Sequence, residues 1–512
     1  MIVTLFFGIF GANKPWYEMT QPLNVLFLSS EVFPFAKTGG LADVASALPQ
    51  ALKEIGNDIR LAIPRYGFVN ERKFRIHEII RLKDIDIPIG KKVAKLNVKS
   101  SFLIGERTKV QIYFIDSAEF FGRQGIYQDP KSKKDYADND ERFIFYSRGI
   151  LEILKRLGWA PHIIHCNDWQ SGLVPAYLKK IYSKDPFFKR IKTVFTIHNV
   201  AYQGNFPKET FQKTGLPEDV FTPDGAEFFD KLSFLKAGIV YSDYVTTVSG
   251  TYAKEISESE EYGFGMEGAL RKKKKAFSGI VNGIDYSIWN PDSDQFIPFK
   301  YSLKTLDAKV ENKKYLLKRF NMKFDPQVPL IGMVTRLVEQ KGLDLVVEAF
   351  SDLMKMNVQL ILLGTGEKQY HAKFESFAKK YPEKFALELA YDDELAHLIE
   401  GAADMFLMPS KFEPCGLNQL YSLKYGTLPV VRKTGGLTDT VKEVNAQKGT
   451  GTGFFFEAYK SGEMLKAISH AVDLFADQKN WQKIMRNAMS EDFSWTHSAK
   501  QYEELYNNIL EK

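Results

Sequence analysis

The strongest constraint on this chain's fold is a rhythm: short, β-rich apolar runs alternate with helical stripes, in two successive series. The first series contains "NVLFLSS", "IRLAIP", "HIIHCND", "KTVFTIHN" and "DYVTTVSG". After its first run, Leu41, Val44, Leu48, Leu52 and Ile55 fall on one helix face, with Pro49 expected to kink that helix. A second helix is expected over about 139–157, and 75–116 reads as β without a clear helix. The second series has "PLIGMVTRL", "VQLILLG", "FALELAY", "DMFLMPS" and "LPVVRK", with helices near 342–356 and 416–425. Such alternation builds parallel sheets covered on both faces. At 512 residues the chain is too long for one ordinary core. The expectation is therefore α/β, with two doubly wound domains facing a shared cleft, joined through a polar, Pro-containing stretch at about 271–328. Ligands of such sheets sit beyond the carboxyl ends of the strands.

One segment occurs twice. "KTGGLADV" at 37–44 and "KTGGLTDT" at 433–440 agree at six of eight positions, each between an apolar run and a helical pattern. Glycines there let backbone N–H groups approach an anion at a helix N-terminus. A strand–Gly–Gly–helix turn also serves as a plain tight connection, and the loops alone leave both readings open. "LLGTGEKQY" has Gln369 where a dinucleotide fingerprint needs glycine, so it reads as a strand-end turn.

Composition narrows the function classes. Net charge of +6 is small for this length and argues against a nucleic-acid partner, and the run Arg271–Lys275 reads as a solvated face. Two distant cysteines, Cys166 and Cys415, form neither a disulfide framework nor a zinc pattern, which points to a reducing cytoplasm. "MIVTLFFGIFGA" is too short to span a bilayer and lacks the basic start of a secretory signal. Residues 1–22 are expected to be a disordered extension, with Met19 as a plausible true start and no membrane role.

Several stretches in one order carry a resemblance: "SSEVFPFAKTGGLADVASALP", "HCNDWQSGL", "TVFTIHNVAYQG", "EYGFGMEGAL", "NGIDYSIWNP", "TRLVEQKGLD", "PSKFEPCGLNQLYSLKYGTLPVVRKTGGLTDTV" and "FSWTHSAKQYEELY". From about residue 23 the chain resembles the bacterial glycogen synthases and plant starch synthases. The resemblance implies a GT-B fold of two Rossmann-like domains, with the N-terminal one at 23–275 on the acceptor side and the nucleotide-sugar domain at 276–490. It also implies a final segment, 491–512, whose helix returns to the N-terminal domain. The implied reaction is retaining glucosyl transfer from ADP-glucose to an α-1,4-glucan, with no cofactor or metal required.

Residue by residue, the resemblance puts Arg336 and Lys341 on the donor phosphates, where fixed cations offset leaving-group charge. Glu413 matches the family's acidic residue near the glucosyl ring, and His198 a histidine beside the glucose 6-hydroxyl. Lys37 matches a donor-binding lysine; Gly39, Gly40, Asp43 and Asp168 are further polar or backbone positions around the substrate. Gly416 and Leu417 open a helix whose free N–H groups can meet the diphosphate, and Tyr391 matches an aromatic over the adenine. Asn167 and Gln170 stand where many members carry histidines, and Asn418 replaces a small hydroxyl residue. Tyr421 occupies the place, eight residues past Glu413, where related transferases carry a second glutamate, so no paired-carboxylate displacement is legible. Gly435 and Gly436 are expected to face the donor from the opposite side, whereas Lys433 has no assignable contact.

Overall fold

The computed structural model describes residues 22–105 and 107–511. The expected extension at 1–22 lies outside them except for its last residue. The first sheet is built from β1 (Asn24–Leu28), β2 (Asp58–Pro64), β3 (His77–Glu78), β4 (Ile85–Ile89), β5 (Lys92–Ile104) and β6 (Lys109–Asp116). It continues with β7 (Ile163–Asn167), β8 (Lys192–Ile197), β9 (Tyr244–Thr247) and β10 (Phe277–Gly279). The order is β10-β9-β8-β7-β1-β2-β6-β5-β3, with β4 paired to β5. Pairing is parallel from β10 through β6 and antiparallel beyond, which is why 75–116 carries no crossover helix.

The second sheet has six strands: β11 (Leu330–Val334), β12 (Gln359–Leu363), β13 (Phe385–Glu388), β14 (Met405–Met408), β15 (Leu428–Arg432) and β16 (Phe454–Phe456). Its order is β13-β12-β11-β14-β15-β16, parallel throughout. The short "FFF" of β16 gave no signal in the sequence rhythm. Both sheets reverse winding direction beside their first strand, between β1 and β7 and between β11 and β14. These are the topological switch points where a crevice opens.

Helices follow the sequence stripes. In α1 (Gly40–Glu54), Leu41, Val44, Leu48 and Leu52 are buried on one face, and the helix continues through Pro49. The helix α2 spans Asn139–Leu157. Other helices needed below are α3 (Gly250–Glu258), α4 (Asn418–Tyr425), α5 (Gly435–Thr440) and α6 (Trp495–Leu510).

The polar stretch at 271–328 is a connector only in part: Ile297, Tyr301 and Leu306 are buried in the second sheet's core. The crossing itself is narrow. Ile284 N–H donates to Phe493 O at 2.8 Å, so the outgoing and returning segments run side by side. Beyond that crossing α6 lies on α1, and the first core takes in Trp495, Tyr502 and Tyr506. Tyr506 OH meets His165 Nδ1 at 2.6 Å, while Asn57 Nδ2 donates to Glu503 Oε1 at 2.8 Å.

Candidate active site

The loops leaving β1 and β7 and those leaving β11 and β14 face one another across a cleft of about 1020 Å³. Ten of the twelve residues singled out from the sequence line it: Lys37, Gly39, Gly40, Asp168, His198, Arg336, Lys341, Glu413, Gly416 and Leu417. Asp43 and Tyr391 do not.

On the first sheet's side, Glu31 organises the glycine loop. Its carboxylate accepts from Thr38 N, from Thr38 Oγ1 at 2.6 Å, from Gly39 N at 3.3 Å and from Tyr127 OH at 2.8 Å. The sequence reading missed Glu31; the available signal was an acidic residue just ahead of a Thr-Gly-Gly helix start. Beyond it the loop is open. A Cβ at Gly39 would meet nothing within 4 Å, and one at Gly40 only Leu417 Cδ1 at 3.7 Å. The N-termini of α1 and α4 therefore converge from opposite domains. The N–H groups of Gly40, Leu41, Gly416 and Leu417 donate to nothing among the described residues.

Lys37 Nζ sits 2.7 Å from Asp43 Oδ1, so Asp43 is the lysine's partner and not a lining residue. Burial alone would lower the Lys37 pKa, but Asp43, with help from Asp393, holds it above its usual value. Burial likewise keeps the Asp43 carboxyl above the ordinary range despite the lysine. Asp168 has φ 52 and ψ −179, a backbone shape that non-glycine residues rarely adopt and that costs about 1–3 kcal/mol. It is held there by its N–H bond to Thr196 O at 2.9 Å and by Oδ1, which accepts from His198 N at 2.8 Å. Burial pushes Asp168 up to about 7 and His198 down to about 3, so the imidazole is neutral at physiological pH.

On the second sheet's side, the Arg336 guanidinium is exposed in the cleft and makes no ion pair among the described residues. Lys341 instead meets Glu413 Oε2 at 2.6 Å, an oxygen that also accepts from Ser410 Oγ at 3.0 Å. Glu413 is only 6% exposed, so its charge needs that company. Tyr391 is 79% exposed, its ring uncovered outside the lining but close enough to influence Lys37. Tyr421 is stacked on Trp289 at 3.8 Å.

The second Lys-Thr-Gly-Gly copy corrects the expectation made for it. Gly435 and Gly436 are buried and face the protein, not the cleft. A Cβ at Gly435, whose φ is 45, would stand 2.0 Å from Glu413 O, and one at Gly436 2.1 Å from Cys415 O. Gly436 N donates to Glu413 O at 3.0 Å, so this copy buttresses the backbone that carries Glu413. Its helix N-terminus is also filled by a glutamate, but one from the other domain. Glu255 Oε1 on α3 accepts from Thr434 Oγ1 at 3.0 Å and Gly435 N at 2.9 Å. In return Asp439 on α5 accepts from Thr251 N at 2.8 Å, at the start of α3. The two helices cap each other across the domain boundary.

Among the described residues no group of three or more His, Cys, Asp or Glu side chains could hold a metal ion, and no helix is long and apolar enough to cross a membrane. The site can therefore meet a dianion with two helix N-termini and the cations Lys37, Arg336 and Lys341, beside a neutral imidazole and the carboxyl groups of Glu413, Asp168 and Glu31.

Comparison with known proteins agrees with that geometry. A family model described as "Starch synthase catalytic domain" matches residues 24–272, and "Glycosyl transferases group 1" matches 317–488. The glycogen synthase of Desulforudis audaxviator is 44% identical over 510 residues, covering 96% of this chain and 97% of that one. That of Thermotoga maritima is 44% identical over 494 residues, covering 96% and 99%. Among solved structures, the catalytic domain of starch synthase IV from Arabidopsis thaliana, bound to ADP and acarbose, superimposes with a TM-score of 0.86. It is 32% identical and covers 96% of this chain and 100% of that one. Sucrose-phosphate synthase from Thermosynechococcus elongatus, at 16% identity and TM-score 0.57 over 96% of this chain and 99% of that one, shares the fold.

Proposed function

This chain belongs to the glycogen and starch synthase family of glycosyltransferases, and on that premise we propose that it transfers glucose from ADP-glucose to the non-reducing end of an α-1,4-glucan, with retention, releasing ADP. The observation that carries the reading is the open cradle at Gly39 and Gly40. Space that a Cβ at Gly39 could occupy without touching protein, and one at Gly40 with only a loose contact to Leu417, adjoins N–H groups of two facing helices that have no partner among the described residues. ADP and acarbose in the plant relative support a nucleotide and a glucan as the ligands.

In this reading the departing diphosphate is met by Arg336, Lys341 and the α1 and α4 N-termini. A single preorganised donor of this kind is worth about 3 kcal/mol in the transition state. Lys341 is shared between two anions: as it turns to the diphosphate, Glu413 is left beside the sugar while positive charge develops on the ring. With Tyr421 where related transferases carry a second glutamate, the site suits a reaction on one face of the sugar, not a double displacement through a glutamate pair. His198, neutral, hydrogen-bonds a sugar hydroxyl, and Lys37 grips the donor from the first domain. The uncovered ring of Tyr391 offers a stacking surface to a purine. Fixed cations supply the charge that a divalent metal provides elsewhere, so none is required. The site of action is the cytoplasm.

The test is glucose incorporation into glycogen from ADP-glucose and from UDP-glucose, each with and without a chelator. Comparable kcat/KM for both donors would overturn the donor assignment. Activity abolished by the chelator and restored by Mg²⁺ would overturn the metal-free reading.

A further inference from the structure

Asn167 ends β7, is fully buried, and lies beneath the imidazole that faces the cleft. Its Nδ2 donates to Leu28 O, at the end of β1, at 2.9 Å. Its Oδ1 lies 2.8 Å from His198 Nε2. The amide cannot be turned over: Oδ1 would then confront the Leu28 carbonyl, two acceptors with no proton between them. An amide oxygen only accepts, so the proton of this pair must sit on His198 Nε2. The ring is neutral, because burial holds its pKa near 3. Its Nδ1 makes no hydrogen bond among the described residues, and the side chain lines the cleft.

We propose that Asn167 is a positioning residue that locks His198 in the Nε2–H tautomer, so that Nδ1 presents a lone pair to the substrate. The site then selects a ligand group that donates a hydrogen bond, a hydroxyl, at that point; an ether or a carbonyl oxygen there is rejected. This rests on the reading of the cleft as a sugar site, but the tautomer itself does not. The backbone holds the ring from the other end, since Asp168 Oδ1 accepts from His198 N at 2.8 Å. The titratable groups around it are His165 on β7, Asp168 after it, and Glu31, Glu413, Arg336 and Lys341 on the cleft wall.

The experiment is ¹⁵N imidazole NMR on the full-length chain, with the His198 signal identified by its loss in His198→Gln. The expected result is a protonated Nε2 and a bare Nδ1 at neutral pH. In Asn167→Ala the two tautomers should mix, and kcat/KM with ADP-glucose should fall about twofold, in proportion to the fraction left in the competent tautomer. In Asn167→Asp, nearly isosteric, the buried carboxyl must keep a proton to donate to Leu28 O, so its other oxygen still accepts from Nε2–H and the tautomer should be retained. A bare Nε2 in the wild-type chain would overturn the proposal whatever the variants do. So would an unchanged tautomer in a folded Asn167→Ala. If the tautomer behaves as stated but neither donor supports glucosyl transfer, the reading of the site as a synthase fails and the role of Asn167 stands.

Discussion

Replacing each lysine of the repeated segment by alanine separates the two copies. The Lys37 side chain is 35% exposed, lies 2.7 Å from Asp43 and lines the cleft. Lys433 is an exposed side chain 2.8 Å from the still more exposed Glu457, well away from the cleft lining. An exposed pair of that kind is strongly screened, so Lys433→Ala should change neither kcat/KM nor the melting temperature measurably. On the proposed reading, Lys37→Ala removes a charge-assisted contact to the donor and should cost roughly 1.5–3 kcal/mol in kcat/KM, about 10- to 150-fold. It also leaves Asp43 half-buried without its partner, which lowers stability for a reason unrelated to substrate. The double variant Lys37→Ala/Asp43→Asn distinguishes the two effects: it should recover the melting temperature but not kcat/KM. Steady-state kinetics with ADP-glucose and thermal melts on all four proteins supply the data. Full kinetic recovery in the double variant would make Lys37 merely structural. Equal losses at Lys37 and Lys433 would mean that the two halves of the cleft are wrongly assigned.

Glu413→Ala should lower kcat by at least a hundredfold while calorimetry finds ADP affinity nearly intact, because its partner is charge that develops only in the transition state. A parallel loss of ADP affinity would put the carboxylate on the nucleotide. His165, fully buried between Tyr506 and Thr196, has its pKa pushed down to about 3 by burial. The unfolded chain therefore takes up this proton below about pH 6.5 while the folded one does not, and stability falls by about 1.4 kcal/mol per pH unit toward pH 3. Urea melts at pH 7.5 and 5 should find that part of the acid sensitivity missing in His165→Gln; an unchanged slope would refute it. Glu255→Ala should cost about 1–2 kcal/mol, the value of a lost helix cap, and slow glucosyl transfer through the backbone that supports Glu413. Unchanged kinetics and stability would mean that the α3–α5 contact carries no load.

Local pattern decided much of this protein. The strand–helix rhythm needs only side-chain periodicity, so β1, β2, β7, β8, β9, β11, β12, β13, β14 and β15 could all be read before any coordinates. The residues of the cleft were named through the family resemblance, residue by residue, because the strand-end loops alone left anion binding and a plain tight turn both open. Ten of them do meet in one cleft. What each residue touches was not legible, because contacts between residues hundreds of positions apart leave no trace in either neighbourhood. The pairing of Glu255 with Gly435, 180 positions apart, and of His165 with Tyr506, 341 apart, belongs to that class. The twin segments are the clearest case. Their letters are nearly the same, and both helix N-termini receive a glutamate, Glu31 in one and Glu255 in the other. Sequence alone specified a turn able to bind a carboxylate. Only the tertiary structure decided that the first copy stays open to a ligand while the second is closed by the Glu413–Cys415 backbone of its own domain, because whether a glycine faces space or a carbonyl oxygen depends on what the rest of the chain brings to it.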